Sequence, residues 1–371
     1  MKFSCTQENI NRGLQLVSHI ASKNVNLPIL HNILIEATEG GVDLVATNLE
    51  IGIRVHVRGK VEEQGAFTVP AGILSNYISL VSAERVDMEL TNNELHISAG
   101  SQETKLKGES SNEFPLIPEV DHSEKLSLDS TELKQALSQA VISVSHDDSR
   151  PELTGVLFAV KESSVVMAAT DSYRLSERTI TLPQDVGYEK TVIIPAQALS
   201  ELARMLPESD QTANISFSDS QVSFYTTEFE LTSRLIEGAF PDYTQIIPSE
   251  HRTRIVVDRN AFIKAVKAAS LFSKSGIHDV NLHFSPEKQA VTITTVNSQV
   301  GENVSRVEAE ISGDSNNTVL NYRYLLEGLS AVQTSKMTID IVDNATPAVF
   351  RPQGNDVSEG TLVYIVMPIK Q

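Results

Sequence analysis

The chain has 371 residues, more than one hydrophobic core usually serves, so its length predicts two or three domains. Hydrophobic residues make up 40% of the sequence and aromatic residues only 5%, a composition typical of a globular protein rather than a disordered one. The formal net charge of −18 argues against a uniformly basic nucleic-acid binder and favours an acidic, self-repelling surface.

The first residues, MKFSCTQENINRG, contain neither the apolar stretch nor the small-residue cleavage site of a signal peptide. No apolar run approaches the roughly 18 residues that a membrane span needs. The single cysteine, Cys5, has no partner for an internal disulfide and no spacing typical of a zinc site. These features predict a cytoplasmic protein in which Cys5 is a small core residue.

Three segments of the chain begin alike, each with a short alternating strand and then an amphipathic helix. They read KFSCTQENINRGLQLVS from Lys2, KLSLDSTELKQALSQAV from Lys125 and RIVVDRNAFIKAVKAAS from Arg254. In each helix, apolar residues recur at i, i+4 and i+7, which is the spacing of one buried face. These residues are Ile10, Leu14 and Val17, then Leu133, Leu137 and Ala140, then Phe262, Val266 and Ala269.

The likeness continues downstream at nearly constant spacing. LVATNLE, MAATDSY and ITTVNSQ end equivalent strands, and VPAGILSNYISLV, IPAQALSELARML and LNYRYLLEGLSAV are second helices. Alternating strands then close each segment, and short polar linkers, PEVDHSEK and PSEHRTR, lie between segments. The sequence therefore predicts an α+β protein of three repeated domains, residues 1–120, 121–249 and 250–371, each with two helices on antiparallel sheet.

With VPAGILSNYI, ATDSYRL, FPDYTQIIP and YIVMPIKQ in these positions, the whole chain resembles the bacterial DNA polymerase III beta subunit, the sliding clamp. The resemblance implies a ring-shaped head-to-tail homodimer of six DNA-clamp domains, with helices lining the hole and sheets outside. It implies a non-catalytic processivity factor of the DNA-directed DNA polymerase holoenzyme, which encircles double-stranded DNA independently of sequence and needs no metal or cofactor.

Basic residues are clustered on the repeated helices and their flanks, whereas acidic residues accumulate on strands and loops. In the implied ring this distribution gives a mildly basic lining and an acidic exterior, and phosphate contacts from such side chains are independent of base sequence. Each basic residue taken alone also suits an ordinary solvated helix face. The predicted DNA-facing residues are Arg12, Lys23, Asn24, Lys134, Arg150, Arg204, Lys264, Lys267 and Lys274.

The stretch AATDSYRLSER, residues 168–178, suggests either a catalytic cluster or the wall of a binding pocket. Alone, it is also compatible with a strand end and a turn in which Arg174 pairs with Asp171. The resemblance implies a pocket for partner peptides with a glutamine and terminal leucine or phenylalanine anchors, and aliphatic side chains suit such a cleft. The pocket residues implied are Leu153, Thr170, Ser172, Tyr173, Arg174, Leu175, Pro241, Gln245, Ile246, Pro347, Ile365, Val366, Met367, Pro368 and Ile369.

The partners implied for this pocket are the DNA polymerase III catalytic subunit, the clamp loader, and other DNA polymerases and repair proteins that carry clamp-binding motifs. Tyr173 stands where the family often has histidine, Gln245 stands where it often has arginine, and Gln371 ends the chain with a polar residue. We expect these three positions to affect which partners are preferred.

The resemblance also implies the dimer contact. It joins Leu106, on an edge strand of the first domain, to Leu271 and Phe272 at the end of a helix in the third. Ordinary core packing is the other interpretation of these three residues.

Two alternative functions are considered. An enzyme is disfavoured because the chain lacks GxxxxGK[ST], GxSxG and HExxH. His146, Asp147 and Asp148 in SHDDSR suggest a metal site, but adjacent residues rarely converge on one ion, so a turn is favoured. The second alternative is an interaction scaffold of repeated domains that does not bind nucleic acid.

Overall fold

The structure, a computed structural model, describes residues 1–21, 27–209, 211–274, 276–354 and 362–370. Each repeat contributes two helices to the described chain, as the sequence predicts. The nine apolar residues predicted to form one face of the first helix in each repeat are all buried. The helices are α1 (Gln7–Val17), α2 (Ala71–Leu80), α3 (Ser130–Ala140), α4 (Ala196–Met205), α5 (Arg259–Ser270) and α6 (Tyr322–Ala331).

Side-chain caps start several of these helices directly after a strand. Thr6 accepts a hydrogen bond from the backbone N–H of Asn9 at the start of α1, at 3.2 Å. Asp258 caps α5 through the backbone N–H of Ala261, at 2.7 Å. Each cap satisfies a backbone donor that the helix leaves unpaired, and so fixes where the strand ends and the helix begins.

The strands of the three repeats are antiparallel to their neighbours. The first repeat contains β1 (Lys2–Thr6), β2 (Asn32–Thr38), β3 (Gly41–Thr47), β4 (Ile51–Val57), β5 (Gly59–Glu63), β6 (Gly65–Pro70), β7 (Arg85–Thr91), β8 (Glu94–Ala99), β9 (Gln102–Lys107) and β10 (Glu109–Ser110). The second contains β11 (Leu126–Asp129), β12 (Gly155–Lys161), β13 (Ser164–Thr170), β14 (Arg174–Thr181), β15 (Lys190–Pro195), β16 (Thr212–Phe217), β17 (Gln221–Tyr225) and β18 (Phe229–Arg234). The third contains β19 (Thr253–Asp258), β20 (Asp279–Ser285), β21 (Ala290–Asn297), β22 (Gly301–Gly313), β23 (Asn316–Asn321), β24 (Lys336–Ile341), β25 (Ala348–Gln353) and β26 (Leu362–Val366).

The chain forms two compact units that follow the sheets rather than the repeats. Unit 1 comprises Met1–Thr131 and Arg204–Leu235. Its sheets have the strand orders β5-β1-β7-β8-β9 and β10-β6-β2-β3-β4-β18-β17-β16-β11. Unit 2 comprises Glu132–Ala203 and Ile236–Gln371, and its sheet has the order β15-β12-β13-β14-β26-β25-β24-β19-β22-β21-β20-β23. The second repeat therefore contributes strands to both units.

Each unit contains one place where the sheet of one repeat continues into the sheet of the next. In unit 1, β4 pairs with β18, and Gly52 lies opposite Thr232. In unit 2, β14 pairs with β26, and Leu175 lies opposite Ile365. The strands on either side follow the same order in both places. We call the β4–β18 ladder with its linker, residues 114–118, the first joint, and the β14–β26 ladder with residues 240–247 the second joint.

Among the strand edges that have no ladder partner within the described residues are one side of β9 and part of one side of β22. β9 ends the five-stranded sheet and pairs with β8 alone. β22 pairs with β21 through residues 301–308, but pairs with β19 only through residues 309–313, so one side of residues 301–308 is open. The strand orders β23-β20-β21-β22 and β9-β8-β7-β1 correspond to the two sides of the first and second joints.

Cys5 is buried in β1, and burial together with the nearby Asp87 raises the pKa of its thiol to about 12. At pH 8 we expect Cys5 of the folded protein to react only slowly with a chromogenic thiol reagent. The denatured protein should react fully and release one equivalent of chromophore per chain. The thiol of the unfolded chain has a pKa of about 8.5. Because the folded protein holds this proton more tightly, the free energy of unfolding decreases as the pH rises from about 8.5 toward 12. Rapid reaction of the native protein would contradict the buried position.

No helix in the described parts of the chain combines the length and apolar character required to cross a membrane.

Candidate peptide pocket at the second joint

The turn between β13 and β14 is held by its own side chains. Thr170 Oγ1 donates to the carbonyl of Arg174 at 2.7 Å and accepts from the backbone N–H of Ser172 at 3.1 Å. Asp171 Oδ1 accepts from the backbone N–H groups of Tyr173 and Arg174 at 2.9 and 3.0 Å. These bonds hold Ser172 at a φ of 76°, in the left-handed region that favours glycine. The turn thereby presents Tyr173, which is 63% exposed.

Arg174 connects this turn to helix α6. Its Nε donates to Asp171 Oδ2 at 2.9 Å, so the predicted Arg174–Asp171 pair is present. Its Nη1 donates to Glu327, and its guanidinium lies 4.6 Å from the centroid of the Tyr324 ring. Burial lowers the pKa of Arg174, but the hydrogen bond and the charges of both carboxylates outweigh burial and raise the pKa above its ordinary value. The buried guanidinium therefore remains charged.

An apolar floor lies on the other face of the same strands. Leu175 and Ile365 are opposite each other in the β14–β26 ladder and belong to one buried cluster with Tyr243 of the linker. The Tyr243 hydroxyl donates to Glu177 at 2.6 Å. Burial raises the pKa of Tyr243, and the bond to Glu177 raises it further, so the hydroxyl remains a donor. The linker is thus fixed across the floor.

The C-terminal segment lies beside the turn because its backbone is hydrogen-bonded on two sides. The N–H of Met367 donates to the carbonyl of Tyr173 at 2.8 Å, and the N–H of Ile369 donates to the carbonyl of Val319 at 2.8 Å. Residues of this segment and of the linker remain open to solvent. Pro241, Pro347, Met367, Pro368 and Ile369 are half-buried, whereas Gln245 and Ile246 are exposed. Such partly open apolar surface suits a peptide side chain.

Three predicted pocket residues are buried or bonded within the protein. Val366 is fully buried in the core of the third repeat, because alternate residues of β26 face opposite sides of the sheet. The Thr170 hydroxyl is used within the turn, and the guanidinium of Arg174 is 6% exposed and held by carboxylates. Both side chains thus shape the wall of the candidate pocket, and their direct contact with a peptide stays a prediction. Leu153 is likewise buried, and Ser172 is exposed on the turn.

Two residues at this site were missed in the sequence. Tyr324 and Glu327 lie on α6 and hold Arg174 from the opposite side to Asp171. Helical spacing predicts α6 but gives no signal for a partner that lies far along the chain. Gln371, which the sequence placed near the pocket, lies outside the described residues.

The predicted DNA-facing arginines all have partners on the protein. Arg12 pairs with Glu228 at 2.6 Å, and Arg150 pairs with Glu152 at 3.1 Å. Arg204 donates to the carbonyls of Gln15 and Leu16 at 3.2 and 2.8 Å, near the C-terminal end of α1. Of these arginines, Arg204 satisfies backbone acceptors near the end of α1.

The predicted DNA-facing lysines are more open. Lys264 and Lys267 are exposed on α5, and their i,i+3 spacing places them on one face of that helix. Lys274 is exposed beyond the end of α5, and Lys134 is half-buried on α3. Lys23 and Asn24 lie outside the described residues. Among the predicted DNA-facing residues that the structure describes, Lys264 and Lys267 are thus two exposed cations on one face of a single helix.

Apolar side chains accompany the predicted dimer residues. Leu271 is 75% exposed, Phe272 is half-buried, and Leu106 is half-buried on the edge strand β9. The ring of Phe272 lies beside Gly301, where an added Cβ would be 3.8 Å from Phe272 Cε1. The same repeat also exposes Ile277, Val296, Val300 and Val304. An apolar set of this kind is typical of an interaction surface rather than an isolated exposed residue.

The segment SHDDSR forms a turn, in which Asp147 accepts from the backbone N–H of Ser149 at 3.0 Å. That hydrogen bond lowers the pKa of Asp147. In the described ranges, no three His, Cys, Asp or Glu side chains are grouped so as to hold a metal ion.

Comparison with known proteins identifies the class to which this architecture belongs. Family models of the DNA polymerase III beta subunit match in order: the N-terminal domain at residues 1–118, the central domain at 127–242 and the C-terminal domain at 244–370. Three repeated α+β domains with joined sheets are thus clamp domains, which confirms the predicted fold class.

The beta sliding clamp of Synechococcus elongatus is 32% identical to the chain over 376 residues, which cover 100% of this chain and 99% of that protein. The crystal structure of the Bacillus subtilis DNA polymerase sliding clamp has a TM-score of 0.94 and 27% identity, covering 100% of this chain and 99% of that one. A Pseudomonas aeruginosa sliding clamp bound to griselimycin has a TM-score of 0.93 and 26% identity, with both chains fully covered. The chain belongs to the DNA polymerase III beta subunit family, the bacterial sliding clamps.

Proposed function

We propose that two copies of the chain form a ring around double-stranded DNA and act as a processivity factor in the cytoplasm. The ring tethers the DNA polymerase III catalytic subunit and other replication and repair proteins through the pocket at the second joint. The protein itself performs no chemistry and needs no cofactor. The observation that carries this proposal is the pair of open strand edges, one on β9 and one on residues 301–308 of β22.

The two edges are complementary because they correspond to the two sides of a joint. The chain itself contains two complete joints, β4–β18 and β14–β26. If β22 of one copy pairs with β9 of another, a third joint is built like the first two. The contact is heterologous, so it either closes a ring or continues into a fibre. Two copies supply six domains and six joints, and the clamp family therefore favours a closed head-to-tail dimer.

The hairpins fix the position of Glu302 at this third joint. In the β3–β4 hairpin, Thr47 lies opposite Gly52, and Gly52 faces β18. In the β21–β22 hairpin, Val296 holds the place of Thr47 in the repeat and lies opposite Glu302. Glu302 of β22 is therefore equivalent to Gly52 of β4. In the third joint it faces β9 of the other copy, as Gly52 faces β18 in the first joint.

The incoming strand is aligned in the same way. Glu94 lies opposite Lys107 in the β8–β9 hairpin, as Gln221 lies opposite Arg234 in the β17–β18 hairpin. Lys105, two positions before Lys107, thus holds the β18 position that faces β4 in the first joint.

In this register, the side chains that face each other across the third joint are complementary in charge and polarity. Lys105 of one copy is placed opposite Glu302 of the other, which allows an ion pair. Leu106 is placed opposite Gly301, beside the ring of Phe272. The predicted contact of Leu106 with Phe272 and the exposed Leu271 is thus supported by the strand order as well as by the family resemblance.

A loading assay tests the proposed function. The protein is loaded on nicked circular DNA by a clamp loader of the same source, isolated by gel filtration, and then treated with an enzyme that linearises the DNA. We expect retention on the circle and loss from the linear product, because a ring leaves DNA only at an end. Equal retention on both forms would contradict encirclement, and a scaffold that never binds DNA would show no retention at all.

The same assay tests the lysines of α5. Replacing Lys264 and Lys267 together by glutamate is expected to reduce retention and to make its dependence on salt less steep, since fewer phosphate contacts release fewer counterions. Both side chains are exposed, so the fold should be preserved. The matched control replaces the exposed Lys60 and Lys161, which lie on strands β5 and β12, by glutamate. Equal retention of both variants and the wild type would remove the α5 lysines from the DNA-facing surface.

A further inference from the structure

The turn between β3 and β4 repeats the turn of the candidate pocket. Thr47 Oγ1 donates to the carbonyl of Ile51 at 2.9 Å, and Asn48 Oδ1 accepts from the backbone N–H groups of Glu50 and Ile51 at 3.1 and 2.7 Å. Leu49 has a φ of 78°, close to the 76° of Ser172. The first joint thus carries the same turn motif as the second, built from Thr-Asn instead of Thr-Asp.

The backbone beside this turn is also equivalent. The N–H of Arg234 donates to the carbonyl of Glu50 at 3.0 Å, as the N–H of Met367 donates to the carbonyl of Tyr173 at 2.8 Å. Arg234 therefore holds, at the first joint, the position of Met367 at the second. It is exposed, and in the described part of the chain its guanidinium has no carboxylate partner.

A cleft of about 100 Å³ lies at this position, between the turn, the linker and strands β17 and β18. Two leucines at the cleft are open to solvent: Leu49 is 41% exposed and Leu116 is 95% exposed. A single exposed leucine is unremarkable, but two that line one concave site form an exposed apolar surface that a partner can cover. Arg234 lines the same cleft and adds a positive charge on the side of β18, while Glu50 of the turn adds a negative one.

One residue at the base of the cleft differs from its counterpart at the second joint. Gly52 stands where the second joint has Leu175, and Ile117 of the linker fills the space above it. A Cβ added to Gly52 would lie 2.7 Å from Ile117 Cδ1. A typical small-molecule site has a volume of about 300–1,000 Å³. The cleft is much smaller than that and suits a single side chain. An aliphatic anchor therefore fits better than an aromatic one.

We propose that this cleft is a second peptide-docking site, which binds a short extended segment of a partner protein carrying an aliphatic anchor next to an acidic residue. The anchor lies between Leu49 and Leu116, and the carboxylate pairs with Arg234. The proposal rests on the function proposed for the second joint, because the two turns are equivalent.

Photo-crosslinking tests the proposal with the full-length dimer. The probe is an eight-residue peptide with a glutamine, an aspartate and a diazirine-bearing leucine analogue as its anchor. After irradiation, mass spectrometry is expected to find one set of crosslinks in residues 47–52 and 115–118 and another in residues 173–175 and 367–369. An excess of unlabelled peptide with a phenylalanine anchor is expected to remove the second set and to leave the first.

Substitutions then identify the determinants of the first set. Leu116→Ala and Arg234→Ala are each expected to reduce it about tenfold, whereas Leu27→Ala, at an exposed leucine outside the cleft, should leave it unchanged. Ile117→Ala should deepen the cleft and let the phenylalanine peptide compete there. Crosslinks confined to the second set would overturn the proposal. Crosslinks confined to the first set would support it and would overturn the pocket at the second joint.

Discussion

Deletion of the last five residues, MPIKQ, is expected to abolish binding of a clamp-motif peptide and to leave the dimer intact. The deletion removes Met367, whose backbone holds the C-terminal segment against Tyr173, and Ile369, which is bonded to Val319. The C-terminal segment then no longer borders the apolar floor formed by Leu175. A fluorescence anisotropy titration with a labelled peptide measures the loss, and gel filtration checks the dimer.

Leu175→Ala should act in the same direction. Contacts of a peptide anchor in a desolvated pocket are commonly worth about 1 to 4 kcal/mol when truncated. Leu175 is also part of a buried cluster, so the variant loses fold stability as well, by an amount typical of leucine truncation, about 2–5 kcal/mol. Thermal unfolding of the same sample shows whether the chain is folded at the temperature of the titration.

Ser172→Ala is the matched control because it changes an exposed side chain on the same turn and leaves the backbone bonds in place. It should bind the peptide as the wild type does. A catalytic interpretation predicts the reverse order, with Asp171 and Ser172 essential and the tail dispensable. Unchanged peptide affinity after both the tail deletion and Leu175→Ala would refute the pocket.

Local patterns accounted for the features that depend on neighbouring residues. The spacing of Ile10, Leu14 and Val17 identified a buried helix face, since helical periodicity is a property of a few adjacent turns. The shared ATN and ATD phrases likewise marked equivalent strand ends. Asn and Asp bond to the backbone two and three residues on, so the turn conformation is encoded in the turn itself.

Features that depend on residues far apart in the chain could not be read in this way. The sequence predicts Arg174 as a pocket residue but gives no signal for its contacts with Glu327 and Tyr324 on α6. Val366 was assigned to the pocket with Ile365, although the alternation of a strand separates neighbouring side chains onto opposite faces. The joints were missed entirely, because the pairing of β4 with β18 leaves no trace in either strand alone.

Leu106→Asp is expected to convert the protein from a dimer to a monomer. In the proposed third joint Leu106 faces Gly301 and the ring of Phe272, so the substitution places a carboxylate in an apolar contact without a partner. A buried unpaired charge costs about 3 kcal/mol or more, which weakens the dimer roughly a hundredfold. Light scattering at micromolar concentration should give twice the 40.6 kDa chain mass for the wild type and the chain mass for the variant.

The register of that contact is tested by exchanging its charges. Lys105→Glu alone should weaken the dimer modestly, because an exposed ion pair contributes only about 0–1 kcal/mol and the variant opposes Glu302 with a like charge. Combining Lys105→Glu with Glu302→Lys should restore the wild-type dimer, and the gain should shrink in high salt. The matched control combines Lys107→Glu with Glu302→Lys, which does not rebuild the pair in this register. Equal rescue by both combinations would show that the strands pair in a different register, and a dimeric Leu106→Asp variant would show that the ring closes elsewhere.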